Sequence, residues 1–303
     1  MVMSKLDKAT SGFYLHKITI IGVGLIGGSF ALALKRAGVV ATVSGWDANP
    51  ENLSLANQLQ IVDQHSASLA DAVHGAELVM LAVPVGAMEA AAREVLPLMD
   101  RGAILTDSGS VKQCVLEAIE PLAASQGIRY VAGHPISGTE RSGAGAAFAE
   151  LYQGKRCILT PSAATDPDAL ATVQRAWQCA GSDVVLMDVQ KHDRILAAIS
   201  HLPHMIAYSL VNSVSSYDRY EENILDYSAG GFRDFTRIAS SDPVMWRDIA
   251  LTNQQSLIEM IDQFEGFLRE LKNDIQQGDG KRLYEFFLRS KVTRDALIQP
   301  KVR

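Results

Sequence analysis

A chain of 303 residues exceeds the size over which a single hydrophobic core keeps growing, so two domains are expected. Hydrophobic residues make up 48% and charged residues 20%, the composition of an ordinary globular protein and not of a disordered one. A net charge of −6 argues against a general nucleic-acid surface while leaving room for local basic pockets that take small anions.

Residues 1–16 are polar and mixed, lack the apolar centre of a secretory signal, and are expected to form an N-terminal extension. No run approaches the roughly 18 apolar residues of a membrane span, so no membrane association is expected. Cys114, Cys157 and Cys179 are widely separated and show no CxxC or Cys/His metal spacing. Each is expected to be a buried, reduced thiol in a cytoplasmic protein without a metal.

The first strand-like run, Ile18–Val23, enters the turn Gly22-Val23-Gly24-Leu25-Ile26-Gly27, which opens the helical stretch Leu25–Ala37. In a GxGxxG turn placed between strand and helix, Gly22 permits the tight turn and Gly24 lets the backbone approach a pyrophosphate. Gly27 allows helix to pack on strand, and the helix N-terminus holds the anion. Gly22, Gly24, Leu25, Ile26 and Gly27 are therefore expected at a dinucleotide. Asp47, just after the strand-like Val43–Trp46, stands where a carboxylate accepts hydrogen bonds from the adenosine ribose. Ala48-Asn49-Pro50 follow it and supply no arginine, so a 2′-phosphate would meet only a like charge and NAD is favoured over NADP. The competing role for Asp47 is to cap the next helix.

Three more strand-like runs, Leu78–Val83, Ala103–Thr106 and Arg129–Val131, alternate with helical stretches over Val85–Leu98 and Val111–Ala124. This is the grammar of a parallel sheet whose ligands bind at the carboxyl ends of its strands. Val83 and Pro84, Asp107 to Lys112, and Gly133 to Glu140 all fall on that edge. His134, between Gly133 and Pro135, suits a general base that takes up a substrate hydroxyl proton as hydride leaves the same carbon. Ser110 is expected to hold that histidine or the hydroxyl close to the nicotinamide, and with Gln113 it also fits a helix capping box.

Beyond about residue 190 the strand-like runs vanish and long helical patterns cover Lys191–Ser216, Pro243–Lys272 and Lys281–Lys291. Ile249, Leu257, Met260, Ile261, Phe264, Phe267, Leu268 and Leu271 recur at helical spacing; most are expected in the core and some against a second subunit. Ser200-His201-Leu202-Pro203-His204 sets two histidines three apart, but no third metal ligand is evident, so donation to a substrate carboxylate is the better reading. Gly231-Phe232-Arg233-Asp234-Phe235-Thr236-Arg237 and the nearby Trp246 combine guanidinium groups with aromatics, which points to an anion pocket. The expected fold is α/β: an N-terminal doubly wound parallel sheet of Rossmann type, residues 1–188, followed by an all-helical C-terminal domain, residues 189–303, for substrate binding and dimerisation.

With these motifs in order, the chain from about Lys17 to Lys272 resembles the prephenate and arogenate (cyclohexadienyl) dehydrogenases of tyrosine biosynthesis. The most specific stretches are Gly133 to Glu140, Ser200 to His204, and Gly231 to Arg237 with Asp242, Pro243 and Trp246. The resemblance implies NAD as cofactor and oxidative decarboxylation of prephenate to 4-hydroxyphenylpyruvate. It implies that His134 bonds the ring hydroxyl, that Ser110 assists and lies by the cofactor, and that Arg237 binds the ring carboxylate. Thr139, Glu140, His201, His204 and Trp246 would line or gate the pocket, with Gly231 and Arg233 in the same segment. Prephenate and arogenate differ as keto against ammonium, and Arg233 tilts the expectation towards prephenate, with arogenate as a second candidate. Tyrosine is expected to compete for the pocket, and the helical domain to build a homodimer. No effector domain is expected after Lys272 and no chorismate mutase stretch before the sheet, while Arg289–Arg303 reads as a tail or a connection onward. Two other readings compete. One is a β-hydroxyacid dehydrogenase, which usually relies on a lysine where this chain has His201 and His204; the other is a non-catalytic NAD-binding sensor.

Overall fold

In the computed structural model, which describes residues 12–66, 68–217 and 224–298, six strands form one all-parallel sheet. They are β1 (Leu15–Ile21), β2 (Val40–Trp46), β3 (Gln64–His65), β4 (Leu78–Leu81), β5 (Ile104–Asp107) and β6 (Arg129–Val131), in the spatial order β3-β2-β1-β4-β5-β6. The chain winds outward in both directions from β1, so the crevice at the carboxyl ends of β1 and β4 is the topological switch point where ligands bind.

The helices α1 (Leu25–Ala37), α2 (Pro50–Gln58), α3 (Leu69–Val73), α4 (Met88–Val95) and α5 (Gln113–Gln126) cover the two faces of this sheet. Alternation along the strands divides the apolar side chains between two cores. Ile18, Ile20, Leu78 and Met80 join Phe30 and Leu34 of α1 on one face. Ile21, Val79, Leu81 and Leu105 join Met88, Val95 and Ile119 on the other. Because both faces are buried, the strands read as continuous apolar runs. β4 ends at Leu81, two residues before the expected Val83, and the helical stretch from Val85 is divided into a 3-10 turn (Val85–Ala87), α4 and a second 3-10 turn (Leu96–Leu98) around Pro97.

A second sheet was not expected. β7 (Gly133–Pro135) runs antiparallel to β8 (Arg156–Leu159), which pairs in parallel with β9 (Asp183–Leu186). Between β8 and β9, α6 (Pro167–Cys179) buries Trp177 against Phe30, ring centroids 4.5 Å apart. These strands are three or four residues long and β9 is largely uncovered, so they carry little periodic signal. Cys157 and Cys179 are buried and outside any disulfide, whereas Cys114 is only half-buried.

Helices α7 (Val189–Leu196) and α8 (Leu202–Tyr217) are joined through a π-helical turn over Ala197–His201. The resulting continuous helix, Val189–Tyr217, has a mean hydropathy of 1.2 over its most apolar stretch, long and apolar enough to cross a membrane by length and composition. That corrects the expectation that no segment approaches this limit. The count of consecutive apolar residues failed because Ser200, His201, Pro203 and His204 interrupt a helix that is otherwise apolar. Its first turns place His192, Asp193 and His201 in buried positions, the arrangement of a helix that docks on protein.

Gly231 to Arg237, the expected anion pocket, lies on α9 (Gly230–Thr236) running into a 3-10 turn over Arg237–Ser240. The single helix expected over Pro243–Lys272 is two, α10 (Pro243–Thr252) and α11 (Gln254–Gln277). Asn253 leaves helical geometry between them at φ −113, ψ 36. The last helix is α12 (Gly280–Ile298). The chain forms two compact units, one ending at Gln254 and one from Gln255 onward. In the smaller unit Arg282 Nε lies 3.0 Å from the buried Asp274 carboxylate, and Phe267 meets Phe286 edge to face. Of the apolar ladder expected in the core, Ile249 and Leu257 are buried, while Met260, Ile261, Phe264 and Leu271 are half-buried and Phe267 and Leu268 exposed.

Candidate active site

The glycine turn leaves β1 at the switch point. Gly22 takes φ +89, and a Cβ there would come within 2.6 Å of the Ala82 carbonyl oxygen. A Cβ on Gly27 would meet the Gly22 carbonyl oxygen and Ile20 Cγ2, both at 2.5 Å, so the helix can approach its strand only without a side chain. Gly24 differs from both: its φ of −92 is open to any residue and a Cβ would touch nothing within 4 Å. The fold itself gives Gly24 no reason to be glycine, and the close approach of a ligand supplies one. Leu25 is buried and Ile26 half-buried at the start of α1, whose first amides face this gap.

Asp47 is prepared for a ribose. Its Oδ2 accepts from Val23 N (2.9 Å) and Asn52 Nδ2 (2.8 Å), and its Oδ1 from Asn49 N (2.9 Å). The competing capping role falls to Asn49, whose side chain accepts from Glu51 N and Asn52 N at the start of α2. Asn52 had escaped notice; it also bonds Val23 O and Ala144 N, so it ties the glycine turn, the carboxylate and a more distant loop together. Turn and carboxylate together fit a dinucleotide with an unphosphorylated ribose.

Asp107, expected among the cofactor contacts, is fully buried and spent on structure. It pairs with Lys112 Nζ and accepts from Gly109 N (2.7 Å), Tyr130 Oη (2.6 Å) and Gly133 N (3.3 Å). Lys112 Nζ in turn donates to Gly133 O (2.7 Å), the residue before His134. This correction has a simple cause: a carboxylate with those donors has no lone pair left for a ligand. Its work is to hold the turn that presents Ser108 to Ser110. Val83 is half-buried, Pro84 exposed and Ser110 half-buried along the same edge.

Ser110 does not cap α5. Asp193, from α7, reaches across the chain and accepts from Lys112 N and Gln113 N, both at 2.9 Å. The Ser110 hydroxyl is thereby available at the site. The same carboxylate receives His192 Nδ1 at 2.7 Å, and His192 Nε2 lies 2.9 Å from His134 Nδ1. His134 is thus engaged at one ring nitrogen only, with no partner for Nε2 among the described residues. Burial first, and then the neighbouring His192, Lys112 and His201, push the His134 imidazole well below its usual pKa. Burial likewise lowers His192. Burial alone would raise Asp193, but the hydrogen bonds from His192, Lys112 N and Gln113 N hold it below the usual carboxylate value.

On the substrate side, Asn253 Nδ2 donates to Asp193 O (2.9 Å) and to His201 Nδ1 (3.2 Å). His201 Nδ1 is therefore the acceptor and its proton sits on Nε2, which is buried without a partner among the described residues, as is Trp246 Nε1. Burial lowers the His201 pKa to about 4. His204 donates Nδ1–H to Ser200 O (2.8 Å) and stacks on Trp246, ring centroids 3.6 Å apart. Trp246 packs with Val111 and Ile249, next to the turn after β4. Arg237 pairs with Glu140, while the exposed Arg233 turns away to Ser228 Oγ (3.3 Å). Thr139 and Gly231 are exposed, and Thr139 Oγ1 accepts from Arg141 N. Phe235 is 53% exposed.

A dinucleotide crevice that opens onto a buried, neutral imidazole is the arrangement of a nicotinamide-dependent dehydrogenase, and the Asp47 carboxylate makes the cofactor NAD. Residues 30–186 match the model of the prephenate dehydrogenase nucleotide-binding domain, and residues 188–289 that of the prephenate dehydrogenase dimerization domain. The chain is 41% identical over 281 residues to the cyclohexadienyl dehydrogenase of Zymomonas mobilis, covering 92% of this chain and 95% of that protein. It is similar to the crystal structure of Aquifex aeolicus prephenate dehydrogenase in complex with hydroxyphenyl propionate and NAD+, with a TM-score of 0.89 and 37% identity over 94% of this chain and 99% of that one. Synechocystis arogenate dehydrogenase follows with a TM-score of 0.77 and 26% identity over 93% and 100%. The chain belongs to the prephenate dehydrogenase family.

Proposed function

We propose that this protein is a cytoplasmic, homodimeric prephenate dehydrogenase that converts prephenate to 4-hydroxyphenylpyruvate, with arogenate as a second substrate. The observation that carries the reading is His134: buried, neutral, engaged only through Nδ1, and set on the ligand edge of the sheet. NAD, when bound, supplies the hydride acceptor. His134 Nε2 accepts the hydrogen bond of the ring hydroxyl and stabilises the positive charge that develops at the carbinol carbon. When the ring aromatises with loss of CO2, the proton returns to the phenol oxygen, so the sum is prephenate and NAD giving 4-hydroxyphenylpyruvate, CO2 and NADH. Ser110 steadies the hydroxyl, and Arg237 is the candidate cation for the ring carboxylate.

Support for prephenate over arogenate rests on the buried His201 Nε2–H and Trp246 Nε1–H, not on Arg233. Two unpaired donors cost free energy until an acceptor meets them, and a keto oxygen does so where an ammonium group cannot. Tyrosine shares the product ring and is the proposed competitor for the pocket. Three cysteines outside any disulfide fit a reducing compartment.

Following NADH absorbance after mixing the purified protein with NAD and prephenate, with arogenate and NADP in parallel, tests the reading. Formation of NADH with prephenate at a higher kcat/KM than with arogenate is the expected result. Turnover of arogenate alone would reverse the substrate order, and NAD binding with no turnover of either would overturn the enzymatic reading.

A further inference from the structure

The base does not stand alone. We infer that His192 is a positioning residue that dictates which ring nitrogen of His134 carries the proton, through a directed chain Asp193–His192–His134. The inference rests on the reading of His134 as the group that faces the substrate hydroxyl.

The direction of the chain follows from donors that cannot reverse. The amides of Lys112 and Gln113 can only donate, and they occupy Oδ1 and Oδ2 of Asp193 at 2.9 Å each. The carboxylate is thus an acceptor on both oxygens, and the ring nitrogen 2.7 Å from Oδ1, His192 Nδ1, must bring the hydrogen. A neutral His192 then offers a lone pair at Nε2. His134 Nδ1, 2.9 Å away, must carry its own hydrogen to make that contact. What remains on His134 is a lone pair at Nε2, the form needed to accept from a substrate hydroxyl. The rings are also fixed in orientation, edge to face at 65° with centroids 5.1 Å apart. Both histidines and Asp193 are buried, so water does not compete for these bonds.

Burial keeps both rings neutral, and the Lys112 ammonium acts with it on both, as does His201 on His134; the Asp193 and Asp107 carboxylates act the other way on His192 and are outweighed. When His134 draws in the hydroxyl proton, His192 accepts a strengthened hydrogen bond from Nδ1 and Asp193 stabilises the charge from behind. The proton then returns to the substrate oxygen, so nothing is consumed.

The full-length protein with NAD bound and its histidines labelled with 15N is the material for the test. Imidazole nitrogen shifts report the tautomer directly, and His134→Ala assigns the signals. The expected result is hydrogen on Nδ1 of His134 in the wild type. In His192→Leu, kcat is expected to fall about a hundredfold, with KM for NAD unchanged and the acid limb of kcat/KM displaced from its wild-type position. His192→Gln places an amide oxygen where Nε2 stood and is expected to stay within about tenfold of wild type, because it still accepts from Nδ1. Hydrogen on Nε2 of wild-type His134 would overturn the inference, as would unaltered kcat and acid limb in His192→Leu. So would equal loss in the Leu and Gln variants, which a packing role predicts. If the wild type turned over neither cyclohexadienyl substrate, the proposed function would fall while the nitrogen shifts still decided the relay.

Discussion

In the proposed reaction His134 works only while it is neutral, and burial keeps it so. Replacing it with alanine is expected to lower kcat about a thousandfold in the prephenate assay while leaving KM for NAD within about twofold. The same burial sets a pH dependence of stability. His134, His192 and His201 all have folded pKa values below the unfolded value of about 6.5, so the folded state binds fewer protons than the unfolded state once pH drops beneath that value. Their contribution is complete above pH 6.5 and falls as acid is added, and the lowered carboxyl of Asp193 adds to the loss at lower pH. Urea unfolding is expected to show stability dropping by on the order of 1 kcal/mol per pH unit for each of His134 and His201 between pH 6 and 5; a flat profile would show that the rings are not buried and neutral. Lys112 makes a different demand. Lys112→Met strands Asp107 in the core and should cost about 3–5 kcal/mol in the same measurement. His134 and Ser110 were legible in sequence because a chemical group beside a strand end is a local feature. His192, Asp193 and Asn253 were not, since each acts through a partner far away in the chain, and no spacing rule links His192 to His134.

Among the elements, the glycine turn separates structure from ligand binding. Gly27→Ala forces a methyl group against the Gly22 carbonyl and Ile20, and is expected to destabilise the protein by about 1–3 kcal/mol. Gly24→Ala meets nothing in the protein, so its thermal unfolding should match the wild type while KM for NAD rises about tenfold or more. Calorimetry with and without NAD tells these apart, and equal loss of stability in both variants would remove the argument that Gly24 serves the ligand. Element prediction succeeded where burial was symmetric, as in β4, and for α1, whose bounds match the expected Leu25–Ala37. It failed at β7, β8 and β9, which are too short to show a period, and at Asn253, where a side-chain commitment to Asp193 O and His201 breaks a helix that apolar spacing alone would continue. The π turn over Ala197–His201 has no periodic signature either, yet it sits beside Pro203, which cannot donate to an ordinary helical ladder.

At the scale of the molecule, the apolar residues left uncovered on α11 and α12 mark the proposed interface with a second subunit. Phe267, Leu268, Ile275, Phe287 and Leu288 are each at least 41% exposed in the single chain, and the segment matches the family's dimerization domain. A Phe267→Asp, Leu268→Asp double variant should sediment as a monomer at concentrations where the wild type is a dimer; an unchanged sedimentation coefficient would place the interface elsewhere. Sequence periodicity marked these positions as apolar but could not tell a core from an interface, because both present the same stripe.

The cap that Asp193 places on α5 bears on how such enzymes can be recombined. The family models divide the chain between residues 186 and 188, which invites an exchange of everything beyond that point between relatives. Such a graft would import more than a substrate pocket, because the start of a helix on the cofactor side is finished by a residue from the incoming segment. The two halves are in this sense a matched lock and key within one chain, and only parents that agree at that carboxylate can trade them.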